Sequence, residues 1–141
     1  MDNRYTAYKQ QEIGTANRGK LVVMLFSGAI TFLSKAKVAM QKNDYETKGK
    51  YIIKAMNIID ELNISLDMEK GQDIAKNLKS IYLFLDRYLS QANIENDPEK
   101  IDRAINIIEK IKSAFEEVLQ DTEAQALNKV EQTQNLIKKT V

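Results

Sequence analysis

Asn96-Asp97-Pro98-Glu99 is the stretch that decides the fold. It holds the parts of a helix start: a capping side chain, a proline where no backbone N–H is needed, and an acid at the positive end of the helix dipole. Pro98 is the only proline in 141 residues, and only five residues are glycine. So few breaks fit an all-helical chain and argue against a sheet protein with many turns. After the break, Ile101, Ala104–Ile105, Ile108, Ile111, Phe115 and Val118–Leu119 recur at helical spacing.

Three further helices precede it. The spacing predicts one over 73–93, with Ile74, Leu78, Ile81, Tyr82, Leu85, Tyr88–Leu89 and Ala92 on its core face and Leu83 and Phe84 off it. A second spans 45–69, with Tyr45, Ile52, Met56, Ile59, Leu62 and Leu66 as a stripe widened by Ile53, Ala55, Ile58 and Ile64. Gly71 closes it, since a residue without Cβ turns at no steric cost. A third spans 18–42, with adjacent apolar faces through Leu21, Leu25 and Phe32 and through Val22, Phe26, Ala29, Leu33, Ala36 and Met40. Asn43 takes a left-handed stop and Asp44 caps the next helix.

Residues 1–17 show no helical periodicity and read as an extended arm, with Tyr5, Tyr8 and Ile13 as scattered apolar anchors. Past 120 the pattern thins, although Leu127, Val130 and Ile137 share a face. That segment reads as a weak fifth helix or a tail. Connections of a few residues force consecutive helices antiparallel. The expected fold is all-α, an antiparallel up-down-up-down four-helix bundle: arm 1–17, bundle 18–119, tail 120–141.

The composition excludes much chemistry. Histidine and cysteine are absent, so there is no Ser–His triad, no thiolate nucleophile, no Cys/His zinc site and no Glu-x-x-His di-iron pair. Gly19-Lys20 lacks the upstream glycine and strand of a phosphate-binding loop. The adjacent acids Asp60-Glu61 and Glu116-Glu117 read as solvated helix faces. No catalytic residue, metal or cofactor is expected. Twenty-one basic and twenty acidic residues are interspersed, giving a net charge of +1. The basic footprint of a nucleic-acid binder is missing. The longest apolar run, Leu21–Phe26, falls far short of a bilayer span, and the N-terminus lacks the apolar core of a signal peptide. A cytoplasmic protein with no membrane insertion is expected.

The apolar stripes are wider than a core alone needs. The surplus points to a protein that holds another protein in an exposed groove, or to a structural bundle that pairs with itself as a homodimer.

The residues also resemble a known family. Tyr5-x-x-Tyr8-Lys9, Thr15-Ala16 and Lys20-Leu21-Val22-Val23-Met24-Leu25-Phe26-Ser27-Gly28-Ala29 with Phe32-Leu33 are similar to the opening of the flagellar secretion chaperones of FliS type. Ala55-x-x-Ile58-Ile59-x-x-Leu62, Ser65-Leu66-Asp67, Gly71, Ile74-Ala75-x-Asn77-Leu78, Ile81-Tyr82, Leu89-x-x-Ala92-Asn93 and Asp97 continue the likeness in order. Phe115 stands where the family usually has tryptophan, and Asn17-Arg18 and Phe26-Ser27 depart from its usual Ser-Pro and Tyr-Asp. The likeness covers about residues 4–118 and says nothing of the tail. It implies a non-enzymatic cytoplasmic chaperone that binds the disordered C-terminal segment of flagellin, prevents premature polymerisation and passes flagellin to the type III export gate. The expected contacts are Tyr5, Tyr8 and Ile13 of the arm and Ala55, Ile59, Leu62, Leu78, Ile81, Tyr82 and Leu85 along the helices.

Overall fold

The computed structural model describes residues 3–140; at residues 3–17 and at 123, 126, 129, 137, 139 and 140 it describes the backbone alone. Four helices follow one another: α1 (Asn3–Gln41), α2 (Tyr45–Ile64), α3 (Met68–Glu95) and α4 (Pro98–Thr140). No strand occurs among the described residues. The chain forms two compact units. Met24–Lys112 carries the end of α1, all of α2 and α3 and the start of α4, and is the four-helix bundle. Met1–Val23 and Ser113–Val141 make up the other unit.

Buried side chains in the bundle alternate by three and four residues. They are Phe26, Ala29, Leu33, Ala36 and Met40 on α1, where Ala39 is buried beside Met40, and Lys48, Ile52, Ala55, Ile59 and Leu62 on α2. On α3 they are Ala75, Tyr82, Leu85, Leu89 and Ala92, with half-buried Leu78 completing the series; on α4, Ile101, Ala104 and Ile108. A repeat of 3.5 residues selects knobs-into-holes packing with helices crossing at about 20°. Alanines interleaved with large residues let the backbones approach while the large side chains fill the holes. Lys37 of α1 and Asp102 of α4 add an ion pair at 2.8 Å on the rim.

Two turns share one device. Asn43 is left-handed at φ 57°. Its N–H donates to Met40 O (3.1 Å), and that of Asp44 donates to Ala39 O (2.9 Å). Together these form a Schellman stop. Asp44 then caps α2 by accepting from the Thr47 N–H at 3.2 Å. The hydrogen bonds from Thr47 hold the Asp44 carboxyl below its ordinary range. Asn96 repeats the geometry at φ 53°, with Asn96 N–H to Asn93 O (3.4 Å) and Asp97 N–H to Ala92 O (3.1 Å). Asp97 accepts from the Glu99 N–H at 3.0 Å, and Pro98 is the first residue of α4.

The α2–α3 junction differs from the expectation. α2 ends at Ile64, five residues early, where Ser65 Oγ donates to Leu62 O at 2.9 Å. Asp67 then caps α3 by accepting from the Glu69 and Lys70 N–H groups at 3.2 and 3.0 Å. Gly71 therefore lies inside α3, where a Cβ would come within 2.7 Å of the Ala75 Cβ. Gln72 has φ 46° and ψ −121°, which sets the first turn of α3 apart from the long run to Glu95.

Both ends differ too. The stretch expected as an extended arm is helical from Asn3; 120–140 is helical, as one of the two readings of that segment has it, and follows on from the start of α4 without a break. Arg4, Ala7, Lys9, Gln10, Gln11 and Glu12 are good helix formers, and no glycine or proline follows Pro98. In this terminal unit Gly19 packs against the Leu119 side chain, leaving no room for a Cβ. Arg18–Gln41 as a whole is long and apolar enough to cross a membrane, with mean hydropathy 1.6. The stripe from Phe26 to Met40 is instead packed into the bundle core.

Candidate functional site

α3 supplies the core with one stripe and presents a flank on either side of it. Toward α2, Met56, Asp86, Arg87, Ser90, Gln91 and Ile94 line a shallow depression of about 360 Å³. Antiparallel packing sets the register: Ser90 Oγ donates to Met56 Sδ at 4.0 Å, and one turn on, Asp86 shares a hydrogen bond with Asp60 of α2. Ile94, 85% exposed, and Leu83, 46% exposed, stand at either end. Two acceptors in this seam, Asn63 Oδ1 and Asp86 Oδ1, are out of reach of solvent and have no hydrogen-bond partner. Desolvation, then the hydrogen bond and the like charge of Asp60, push the Asp86 carboxyl up to about 7.

Toward α4, Phe84 and Tyr88 stack with centroids 5.2 Å apart. Lys100 Nζ lies 5.6 Å from the Tyr88 ring, and Arg103 bonds the Tyr88 hydroxyl, which raises the guanidinium pKa. Phe84 is 43% exposed and Ile74, two turns below Ile81, is 72% exposed. Lys48 fixes the far end of α3: its buried Nζ donates to Asn93 O (2.8 Å) and Asn96 Oδ1 (3.2 Å) beneath the Tyr45 ring. A lysine here complements the negative end of the α3 dipole and meets its last carbonyls. The surface as built can bury an apolar, helix-forming segment on either flank of α3.

The ten expected contact residues separate into three groups. Ala55, Ile59, Leu62, Tyr82 and Leu85 are buried at 3–4 core positions and do not line an open groove. Burial pushes the Tyr82 phenol up to about 12, and its ring lies 6.5 Å from Phe26. Leu78 and Ile81 are half-buried at the edge of the core and border the α3 flanks. The side chains of Tyr5, Tyr8 and Ile13 lie outside the described residues. Sequence reasoning missed Lys48, Asp86, Ile94 and the exposure of Ile74. The signal for Lys48 was present, because it falls four residues before Ile52 in the core repeat. Asp60, read as a solvated acid beside Glu61, is exposed, and it also meets Asp86.

The model of the family "Flagellar protein FliS" matches residues 1–122. The flagellar secretion chaperone FliS of Vibrio cholerae is 42% identical over 116 residues, covering 79% of this chain and 85% of that one. The Bacillus subtilis chaperone of the same name is 33% identical over 120 residues, 85% of this chain and 89% of the relative. That of Salmonella typhimurium is 36% identical over 110 residues, 77% and 82%. A crystal structure of a bacterial flagellar chaperone shares the fold, with TM-score 0.72 and 16% identity, over 84% of this chain and 96% of its own.

Proposed function

The chain belongs to the FliS family of flagellar proteins, and from that premise we propose that it binds the disordered C-terminal segment of flagellin in the cytoplasm. In this reading it keeps flagellin from polymerising early and hands it to the type III export apparatus. The family is one of chaperones, not of enzymes. The observation that carries the reading is the apolar surface left over once the core is complete: Leu83, Phe84, Ile74 and Ile94 stay exposed while every 3–4 core position of α3 is filled. Such surface beside a finished core marks a docking site.

A disordered end with apolar residues that it cannot bury alone gains by folding onto such flanks as short helices. Its ordering costs a few kcal/mol, so a large buried area is needed. Two flanks on one helix provide it without nucleotide or cofactor.

Titration calorimetry against the C-terminal flagellin segment of the same organism tests the reading. One-to-one binding with a large negative heat-capacity change supports it. No heat at several temperatures from folded protein refutes it, and a concentration-dependent dimer in that sample favours a self-associating bundle.

A further inference from the structure

A different pair of helices builds a different kind of surface. Between α1 and α2, Phe32 and Tyr51 stack with centroids 5.9 Å apart and planes 25° from parallel. Three ammonium groups ring this stack. Lys35 Nζ lies 5.4 Å from the Tyr51 centroid and Lys50 Nζ 6.0 Å, and Lys54 Nζ is 5.5 Å from Phe32 and 5.6 Å from Tyr51. The rings are half-buried and the three lysines exposed. No ion pair among the described residues involves any of them.

The fold gains little from this crowding. Lys50 and Lys54 are four apart on one helix, where like charges repel. Lys35 approaches the same ring from the other helix. The rings offset part of the repulsion through cation–π attraction and hold the ammoniums in place. An ammonium over a ring still has N–H donors pointing outward. What results is a pre-positioned set of donors and positive charge around an apolar plate. An anion with some apolar body would fit it.

We propose that this lysine-ringed aromatic stack is a second docking surface, which takes an acidic, carboxylate-bearing segment of a partner protein. The charge distribution favours that occupant over the other polyanions. A duplex or an anionic bilayer presents charge over a long span and needs a basic track to match. Here the cations are confined to about one helical turn, the flank beyond them carries Gly28 and Ile58 in contact, and the net charge of the chain is only +1. Lysines suit such a segment as mobile point charges, and the stack supplies a platform for its methylenes. The site draws on α1 and α2, whereas the apolar flanks described above belong to α3. It goes beyond the flagellin reading and does not depend on it.

Fluorescence anisotropy with a labelled hexaglutamate peptide and the full chain provides the test. The peptide should bind at low ionic strength and weaken with salt. The triple variant Lys35→Gln, Lys50→Gln, Lys54→Gln should lose about tenfold or more in affinity, as expected for several charge-assisted hydrogen bonds. Its melting temperature should be unchanged, since all three side chains are exposed. Tyr51→Leu, which keeps the lysines but removes the plate, should also weaken binding, and Phe84→Ala should not. Equal binding by the triple variant and the parent, or no binding by the parent, would overturn the proposal. So would a DNA duplex or phosphatidylserine vesicles that bind more tightly than the peptide through the same lysines. None of these measurements needs flagellin, so a failed calorimetric titration leaves this result readable on its own.

Discussion

Replacing Asp86 by asparagine should stabilise the protein above neutral pH and leave it unchanged in acid. Asp86 meets Asp60 across the α2–α3 seam, and desolvation, then its hydrogen bond and like charge with Asp60, make the Asp86 carboxyl hold its proton above the ordinary carboxylate range. The folded state lifts the Asp86 carboxyl from 3.8 to about 7. A raised carboxyl means that the folded chain keeps a proton that the unfolded chain has already released. The stability tied to that proton is whole below 3.8, drains as pH rises, and is gone above about 7. At 1.36 kcal/mol per pH unit the full interval sets a ceiling of ~4 kcal/mol. The carboxyl is still partly in water, and screening reduces this to about 1–2 kcal/mol. In Asp86→Asn the amide Nδ2–H donates to Asp60 at every pH. The variant should therefore melt about 3–6 °C higher than the parent at pH ~8. The gap should close toward pH ~3, where the parent carries its proton in both states. Urea unfolding and thermal melts across that range read it directly. A gap that is constant with pH, or a variant less stable in alkali, would refute this account.

Other outcomes follow from the same packing. Lys48→Ala should cost about 2 kcal/mol, because two half-buried acceptors at the end of α3 lose a charged donor; chemical denaturation measures it. Gln72→Gly should gain about 1 kcal/mol, since φ 46° with ψ −121° strains any residue bearing a Cβ, and a higher melting temperature is the readout. Ile59→Ala should lose about 3 kcal/mol of stability by opening a core cavity, with flagellin affinity of the folded protein nearly intact. Phe84→Ala should do the reverse, weakening binding severalfold at unchanged stability. If both variants lost affinity and stability in parallel, the division between core and surface would be wrong.

The four helices and two of their three turns were legible because their signals are local. Asn43-Asp44 and Asn96-Asp97 name their own geometry, as a left-handed stop followed by a cap. The third turn was misread because Gly71 carries the stronger conventional signal. Asp67-Met68-Glu69 repeats the spacing of Asp44-Tyr45-Glu46 and Asp97-Pro98-Glu99, and it is this repeat that locates the turn. The spare surface at Leu83 and Phe84 was visible as residues off the core stripe, and the structure leaves both exposed. The individual contact residues were not visible. Ile59 and Ile81 are equally apolar, and only the strict 3–4 repeat assigns the first to the core. Pairings such as Asp60 with Asp86, or Lys54 with Phe32, depend on the register between helices, which no single helix encodes. The N-terminal stretch was read as extended, and the C-terminal one as a weak helix or a tail, because their apolar periodicity is weak, whereas helix propensity suffices to carry the backbone on.

The paired asparagine and aspartate in two of the turns leave those hairpins without slack. Surface connections usually absorb an added or missing residue at small cost. Here the last residue of one stop is already the cap of the next helix. One residue inserted between Asn43 and Asp44 would turn α2 by about 100° about its axis, or else undo the cap. The first outcome swings Ile52 and Ile59 toward water, and the second frays the first turn. Length variation and epitope insertion should therefore be rejected at these two corners, although the corners lie at the surface.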